Sequence, residues 1–130
     1  MPPEPTVLAF DTSAAHCAAA LLCAGKVHVR IDVMARGQAE HLMPMLEEVL
    51  AAHGLAWRDL DAIGVGTGPG NFTGIRISVA AARGLALGLG IPAVGVSNFD
   101  AAAYGLPRPV DVLIPAPRDQ AYAQRLTETG

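Results

Sequence analysis

Apolar and polar positions along the chain divide it into short strands and two long helices. Thr6–Phe10 is an apolar run that predicts a buried strand, and it stops at Asp11-Thr12-Ser13. His16–Cys23 is a second run of apolar and small residues. After the turn Ala24-Gly25-Lys26, Val27–Val33 alternates strictly between apolar and polar positions. That alternation predicts a half-exposed strand closing an antiparallel meander, with Asp11-Thr12-Ser13 in its first turn. From Gln38 to His53 the period changes. Leu42, Met45, Leu46, Val49 and Leu50 recur at three and four, Glu40, Glu47 and Glu48 mostly take the other side, and Gly54 is placed to end the helix. Pro44 is tolerated there if it falls within the first turn or so.

Trp57–Asp61 leads into a fourth strand, Ala62–Gly66, and a second helix is predicted over Ile75–Leu89. Its Ala80, Ala81, Ala82, Gly84, Ala86 and Gly88 allow another helix to approach closely, within the chain or across a subunit contact. Gly90-Ile91-Pro92 stops it. Ala93–Val96 reads as a fifth strand, Ser97 as the cap of a short helix from Asn98 to about Tyr104, and Val110–Ile114 and Gln120–Leu126 as two further strands.

Between the fourth strand and the second helix lies the densest local signal, Gly66-Thr67-Gly68-Pro69-Gly70-Asn71-Phe72-Thr73-Gly74. Glycines at this junction permit positive φ and close backbone approach, and a helix start presents N–H groups to an anion. Asn71 and Thr73 are candidate caps. The loop lacks the Gly-Lys-Ser/Thr ending of a P-loop, and a dinucleotide fingerprint would belong in the first βα unit, where this chain has a hairpin. Asp11, Thr12, Ser13, Gly68, Gly70, Asn71, Thr73 and Gly74 are therefore the candidate phosphate or anion site. The alternative is a sharp connection and an ordinary turn that bind nothing.

Composition narrows the classes. The 130 residues are 52% hydrophobic with a net charge of −3, which suits one packed domain and excludes the electrostatic footprint of a generic nucleic-acid binder. Lys26 is the only lysine among nine basic residues, so anion contacts fall to arginine. No apolar run reaches the ~18 residues of a membrane span, and the start carries no secretory signal, so a cytoplasmic chain without membrane contact is expected. Cys17 and Cys23 would share one face of a strand, too far apart to bond, as reduced core thiols. His16, His28, His41 and His53 supply no metal-ligand spacing, and no metal is expected.

The order β-β-β-α-β-α-β-α with a glycine loop after the fourth strand describes an α/β, ribonuclease-H-like lobe of the actin/hexokinase/Hsp70 (ASKHA) superfamily. Its sheet is mixed, with about five strands and flanking helices. Residues 1–109 form this lobe, and 110–130 read as the start of a truncated second one.

Three stretches together resemble the TsaB (YeaZ-like) family: Leu8-Ala9-Phe10-Asp11-Thr12-Ser13, Gly68-Pro69-Gly70-Asn71-Phe72-Thr73-Gly74-Ile75-Arg76-Ile77, and Gly84-Leu85-Ala86-Leu87 followed by Gly90-Ile91-Pro92 and Gly95-Val96-Ser97. The resemblance runs from Val7 to about Ala103. It implies a non-catalytic scaffold subunit that acts with a TsaD-like catalytic subunit and a TsaE-like ATPase to make N6-threonylcarbamoyladenosine at position 37 of tRNA. It further implies that tRNA is reached only through that complex and that a homodimer forms in isolation.

Three departures stand out. Gln38-Ala39-Glu40 replaces the family's usual His-Ser-Glu, Pro115-Ala116-Pro117-Arg118 replaces Asp-Ala-Arg while Tyr122 is kept, and nearly all of the second lobe is missing, by truncation or natural reduction. The expected partner interface comprises Leu42, Met43, Met45, Leu46, Arg76, Val79, Ala80 and Arg83. No cofactor is expected. The alternatives are an M22 glycoprotease-like metallopeptidase, and an actin-like nucleotide-binding protein with magnesium, in which Asp11 and the glycine loop would be half of the site.

Overall fold

A computed structural model describes residues 4–98, 101, 110–116 and 120–126. The strands are β1 (Val7–Asp11), β2 (His16–Cys23), β3 (Lys26–Val33), β4 (Ala62–Gly66) and β5 (Ala93–Val96). They form one sheet in the order β3-β2-β1-β4-β5. The meander pairs antiparallel, and β4 and β5 join parallel to β1 and to one another. Helix α1 (Gln38–Ala52) and helix α2 (Phe72–Leu89) supply the crossovers. Strands β6 (Val110–Ala116) and β7 (Gln120–Leu126) pair with each other as a separate hairpin. This is the mixed five-stranded, ribonuclease-H-like lobe that the element order implies.

Side-chain parity explains where the core sits. Leu8 and Phe10 of β1 lie beside Leu21 and Ala19 of β2 and beside Ile63 and Val65 of β4, all on one face. Leu42, Met45, Leu46, Val49 and Leu50 of α1 and Ala82 of α2 close over them. Each fully buried aliphatic side chain here contributes about 1.5–3 kcal/mol relative to exposure. Cys17 is buried on the same face and remains a free thiol. Burial, and then the charge of Asp32, push its thiol pKa up.

Two boundaries differ from expectation. Asp11 is not in the turn but is the last residue of β1, paired with Ala18. Helix α2 starts at Phe72 rather than Ile75, because the Asn71 side chain accepts from the Gly74 N–H at 2.8 Å and adds a turn at the N-terminus. The short helix expected from Asn98 lies mostly outside the described residues. Gly54 and Gly90 adopt left-handed φ at the two helix ends, where glycine was expected to stop them.

Strand β3 reverses the usual arrangement of a half-exposed strand. Its polar residues turn toward α1: Arg30 bridges Asp32 and Glu48 at 2.9 Å each, His41 meets Asp32 at 2.6 Å, and the His28 and His53 rings lie 4.1 Å apart. Its apolar residues face outward, with Val29 66% and Val33 84% exposed.

The ion cluster gives a pH prediction. Hydrogen bonds from Arg30, and secondarily from His41, lower the Asp32 pKa to about 2. A depressed carboxylate pKa stabilises the fold above the ordinary range near pH 4, and most of that contribution is lost by about pH 2. After discounting for solvent screening, Asp32→Asn is expected to cost about 1 kcal/mol at neutral pH. Denaturant titrations should show the variant and parent converging in acid.

Helix α2 is long and apolar enough, by length and composition, to cross a membrane. It nevertheless carries Arg76 and Arg83, buries Gly74, Ser78 and Ala82 against the sheet, and serves as the β4-to-β5 crossover.

Candidate functional site

The end of β1 and the glycine loop, widely separated in sequence, form one interlocked corner. Asp11 accepts from the Ser13 N–H at 2.7 Å and from the Ser13 hydroxyl at 2.9 Å, so its carboxylate shapes the turn that follows it. The buried Thr12 hydroxyl donates to the Gly74 carbonyl in the first turn of α2. Asn71 N–H donates to the Ser13 carbonyl at 2.7 Å. Asn98, which sequence reasoning did not single out, spans the corner, its side-chain amide donating to Ser13 Oγ at 3.0 Å and to the Pro69 carbonyl at 2.8 Å. Gln38 secures the turn from the other side by donating to the carbonyls of Ala14 at 2.6 Å and His16 at 2.9 Å. Gln38 is therefore an anchor for the candidate turn.

The glycines are there for contact. A Cβ at Gly74 would lie 1.9 Å from the Thr12 carbonyl oxygen, and one at Gly70 would lie 2.6 Å from that of Ser13. Within the loop the positive φ that glycine permits falls at Gly68, at 87°, and not at Gly70.

The structure brings Asp11, Thr12, Ser13, Gly68, Gly70, Asn71 and Gly74 together, while Thr73 is exposed on the outer side of the first helical turn. Chemically, the corner is largely self-satisfied. The Asn71 and Gly74 N–H groups, which a phosphate would need, already bond within the protein, and Asp11 already holds two donors. An anion placed here would compete with built interactions. Among the described residues no three His, Cys, Asp or Glu side chains converge on a metal-sized site.

The expected partner interface divides in two. Leu42, Met45 and Leu46 are at most 1% exposed and form the chain's own core, so they are unavailable to a partner. The helical period places them on the sheet-facing side of α1, and Met43 is also partly buried against that core. Helix α2 is different. Arg76, Ala80 and Arg83 are exposed and Val79 is half-buried. The stripe they begin extends to Phe72 and Leu87, 69% and 87% exposed, which the residue-type search missed. Spacings of four, four, three and four from Phe72 through Arg76, Ala80 and Arg83 to Leu87 put all five on one side of the helix. Arg76, expected at the partner interface, stacks over Phe72 with its guanidinium carbon 4.6 Å from the ring centroid.

Comparisons with known proteins agree on the family. A profile described as TsaD, tRNA N6-adenosine threonylcarbamoyltransferase, matches residues 31–129. The chain is 41% identical over 99 residues to the tRNA threonylcarbamoyladenosine biosynthesis protein TsaB of Haemophilus influenzae, covering 75% of this chain and 42% of that protein. Against TsaB of Escherichia coli it is 37% identical over 99 residues, covering 76% and 43%. The solved structure of YeaZ from Pseudomonas aeruginosa superposes with a TM-score of 0.81 at 35% identity, covering 96% of this chain and 62% of that one. The chain thus spans less than half the length of these two TsaB relatives. Fold, loop and relatives converge: the chain belongs to the tRNA threonylcarbamoyladenosine biosynthesis family, on its TsaB (YeaZ-like) branch.

Proposed function

We propose that the chain is a non-catalytic partner subunit in the synthesis of N6-threonylcarbamoyladenosine at position 37 of tRNA. It binds a TsaD-type catalytic subunit through the outer face of α2, a TsaE-type ATPase joins the assembly, and tRNA is engaged only by the complex. The observation that carries this reading is the exposed Phe72–Leu87 stripe on a helix whose opposite side is fixed to the sheet. Small residues at Ala80 and Gly84 let a partner helix come close, while Arg76 and Arg83 frame the contact with planar donors. Without the partner, two copies meet through the same stripe as a homodimer. The self-bonded corner supports a positioning role rather than nucleotide binding, and no cofactor is invoked.

Deleting the gene for this chain should lower threonylcarbamoyladenosine in tRNA hydrolysates analysed by mass spectrometry, and re-expression should restore it. An unchanged level on deletion would reject the proposal. The metallopeptidase alternative predicts one zinc per chain in protein purified without added metal, together with peptide hydrolysis. We expect neither, and elemental analysis with a peptide-cleavage assay checks it.

A further inference from the structure

Strand β3 forms one edge of the five-stranded sheet, and its outer side carries a row of backbone donors and acceptors. Its pairing with β2 decides which residues present them. Met34 N–H donates to the Ala15 carbonyl at 3.1 Å, and the register runs without a bulge to Cys23 opposite Lys26. In an antiparallel ladder, residues that bond to one neighbour alternate with residues that face away from it. Val27, Val29, Ile31 and Val33 therefore direct their N–H and carbonyl groups outward, and their side chains are 58–84% exposed. Natural edges are commonly interrupted by a proline or a bulge, and this eight-residue edge has neither. Among the described residues no strand pairs with it. Strands β6 and β7 pair with each other, and the chain leaves the sheet from β5, at the opposite edge.

The sequence of the strand is complementary to itself. Laid antiparallel to a second copy and centred on Val29, β3 sets Val27 opposite Ile31 and Val29 opposite itself. All three carry outward backbone groups, so each pair can exchange both hydrogen bonds. On the other face the same register sets Lys26 opposite Asp32 and His28 opposite Arg30. Lys26 is exposed and takes no part in the ion pairs that join Arg30, Asp32, His41 and Glu48, so it brings a new cation to the Asp32 carboxylate. Neighbouring registers are poorer. Centring on Arg30 opposes two guanidinium groups, and centring on Ile31 carries the pairing past Val33, the end of the strand. Any extended peptide could meet the backbone, but these matches of charge and register belong to a second β3.

We propose that β3 is a self-pairing edge, at which two copies of this chain join their sheets antiparallel about Val29. The contact is distinct from the α2 stripe and does not depend on the functional reading above.

The test uses the full chain carrying Leu87→Asp, so that the α2 stripe cannot hold two copies together. Sedimentation velocity should show a reversible dimer at concentrations of about 100 μM, the range of a small interface. Adding Val29→Pro removes an N–H that faces away from β2 and so spares the ladder within the chain. It should weaken dimerisation by about tenfold or more, with circular dichroism unchanged. Lys26→Glu, which places two carboxylates opposite one another, should weaken it by about threefold or more. In a Cys23→Ala background, Val29→Cys should form an intermolecular disulfide on mild oxidation, whereas Val27→Cys, which faces Ile31, should not. The proposal is overturned if the Leu87→Asp chain is monomeric throughout, as it would be were the chain's own continuation to cover β3. It is equally overturned if folded Val29→Pro dimerises as its Leu87→Asp parent does, or if Val27→Cys cross-links as readily as Val29→Cys. Should Val29→Pro fail to fold, the cross-linking of folded Val29→Cys decides.

Discussion

Gly74→Ala is expected to unfold the lobe or destabilise it by about 3 kcal/mol or more, although alanine is ordinarily the better helix former by about 1 kcal/mol. The reason is local. The added methyl would sit 1.9 Å from the Thr12 carbonyl oxygen, a backbone atom held between β1 and α2, and neither element can withdraw without breaking the corner. Thr12 is fully buried and its hydroxyl bonds to the Gly74 carbonyl, so displacement would also strand a buried donor. Gly88→Ala supplies the internal control. Nothing lies within 4 Å of its added methyl, and it should raise stability by about 0.5–1 kcal/mol. Thermal and denaturant unfolding of the two variants against the parent checks both signs. Equal stability of Gly74→Ala and parent would show that the β1 turn and the loop are not in mutual contact. Gly70→Val should also fail to fold normally, through collision with Ser13 rather than through an unfavourable φ.

Leu87→Asp is expected to leave the fold intact and to reduce affinity for a TsaD-type partner by about tenfold or more, the usual scale for losing an apolar anchor at an interface. At 87% exposure, Leu87 contributes little to the core. Phe72→Ala should act similarly, because it removes both an exposed ring and the surface on which Arg76 stacks. Arg76→Ala should leave the fold intact and weaken the partner contact less. Met45→Ala provides the contrast: it is fully buried and should cost about 2–5 kcal/mol of stability through the cavity it leaves. Circular dichroism and calorimetric titration separate the two classes. Weak binding by folded Leu87→Asp implicates the surface, and unfolding would reassign Leu87 to the interior.

Much of this architecture was legible because period and parity report burial directly. The alternation in β3, the three-and-four spacing of α1, and the glycines at Gly54 and Gly90 fixed element types and ends within a residue or two. The direction in which β3 faces was not legible. Strict alternation says that one side of a strand is apolar but not which side meets the helices, and only the contacts of Arg30 and Asp32 with α1 decide it. The same ambiguity misplaced the interface on Leu42, Met45 and Leu46, whose periodic apolar stripe is the ordinary mark of a core-facing helix. On α2 the small residues marked the crossover helix, but the exposed Phe72 and Leu87 depend on which face the sheet covers. The glycine loop stood out for its composition, yet the reason for its glycines lay in a turn some sixty residues away, as in the Thr12–Gly74 bond, 62 positions apart. Asn98 offered no signal at all, because an isolated asparagine acquires its role only when the corner has closed.

Hydrogen exchange on the chain alone and mixed with a TsaD-type subunit tests the central claim most directly. Complex formation is predicted to slow exchange along the exposed stretch of α2 from Phe72 to Leu89, with α1 core amides unchanged, and Leu87→Asp should abolish that protection. No binding, or protection confined to the sheet face lined by Val29, Ile31 and Val94 with α2 exchanging as in the free chain, would contradict the assignment of this chain as a TsaD partner acting through α2.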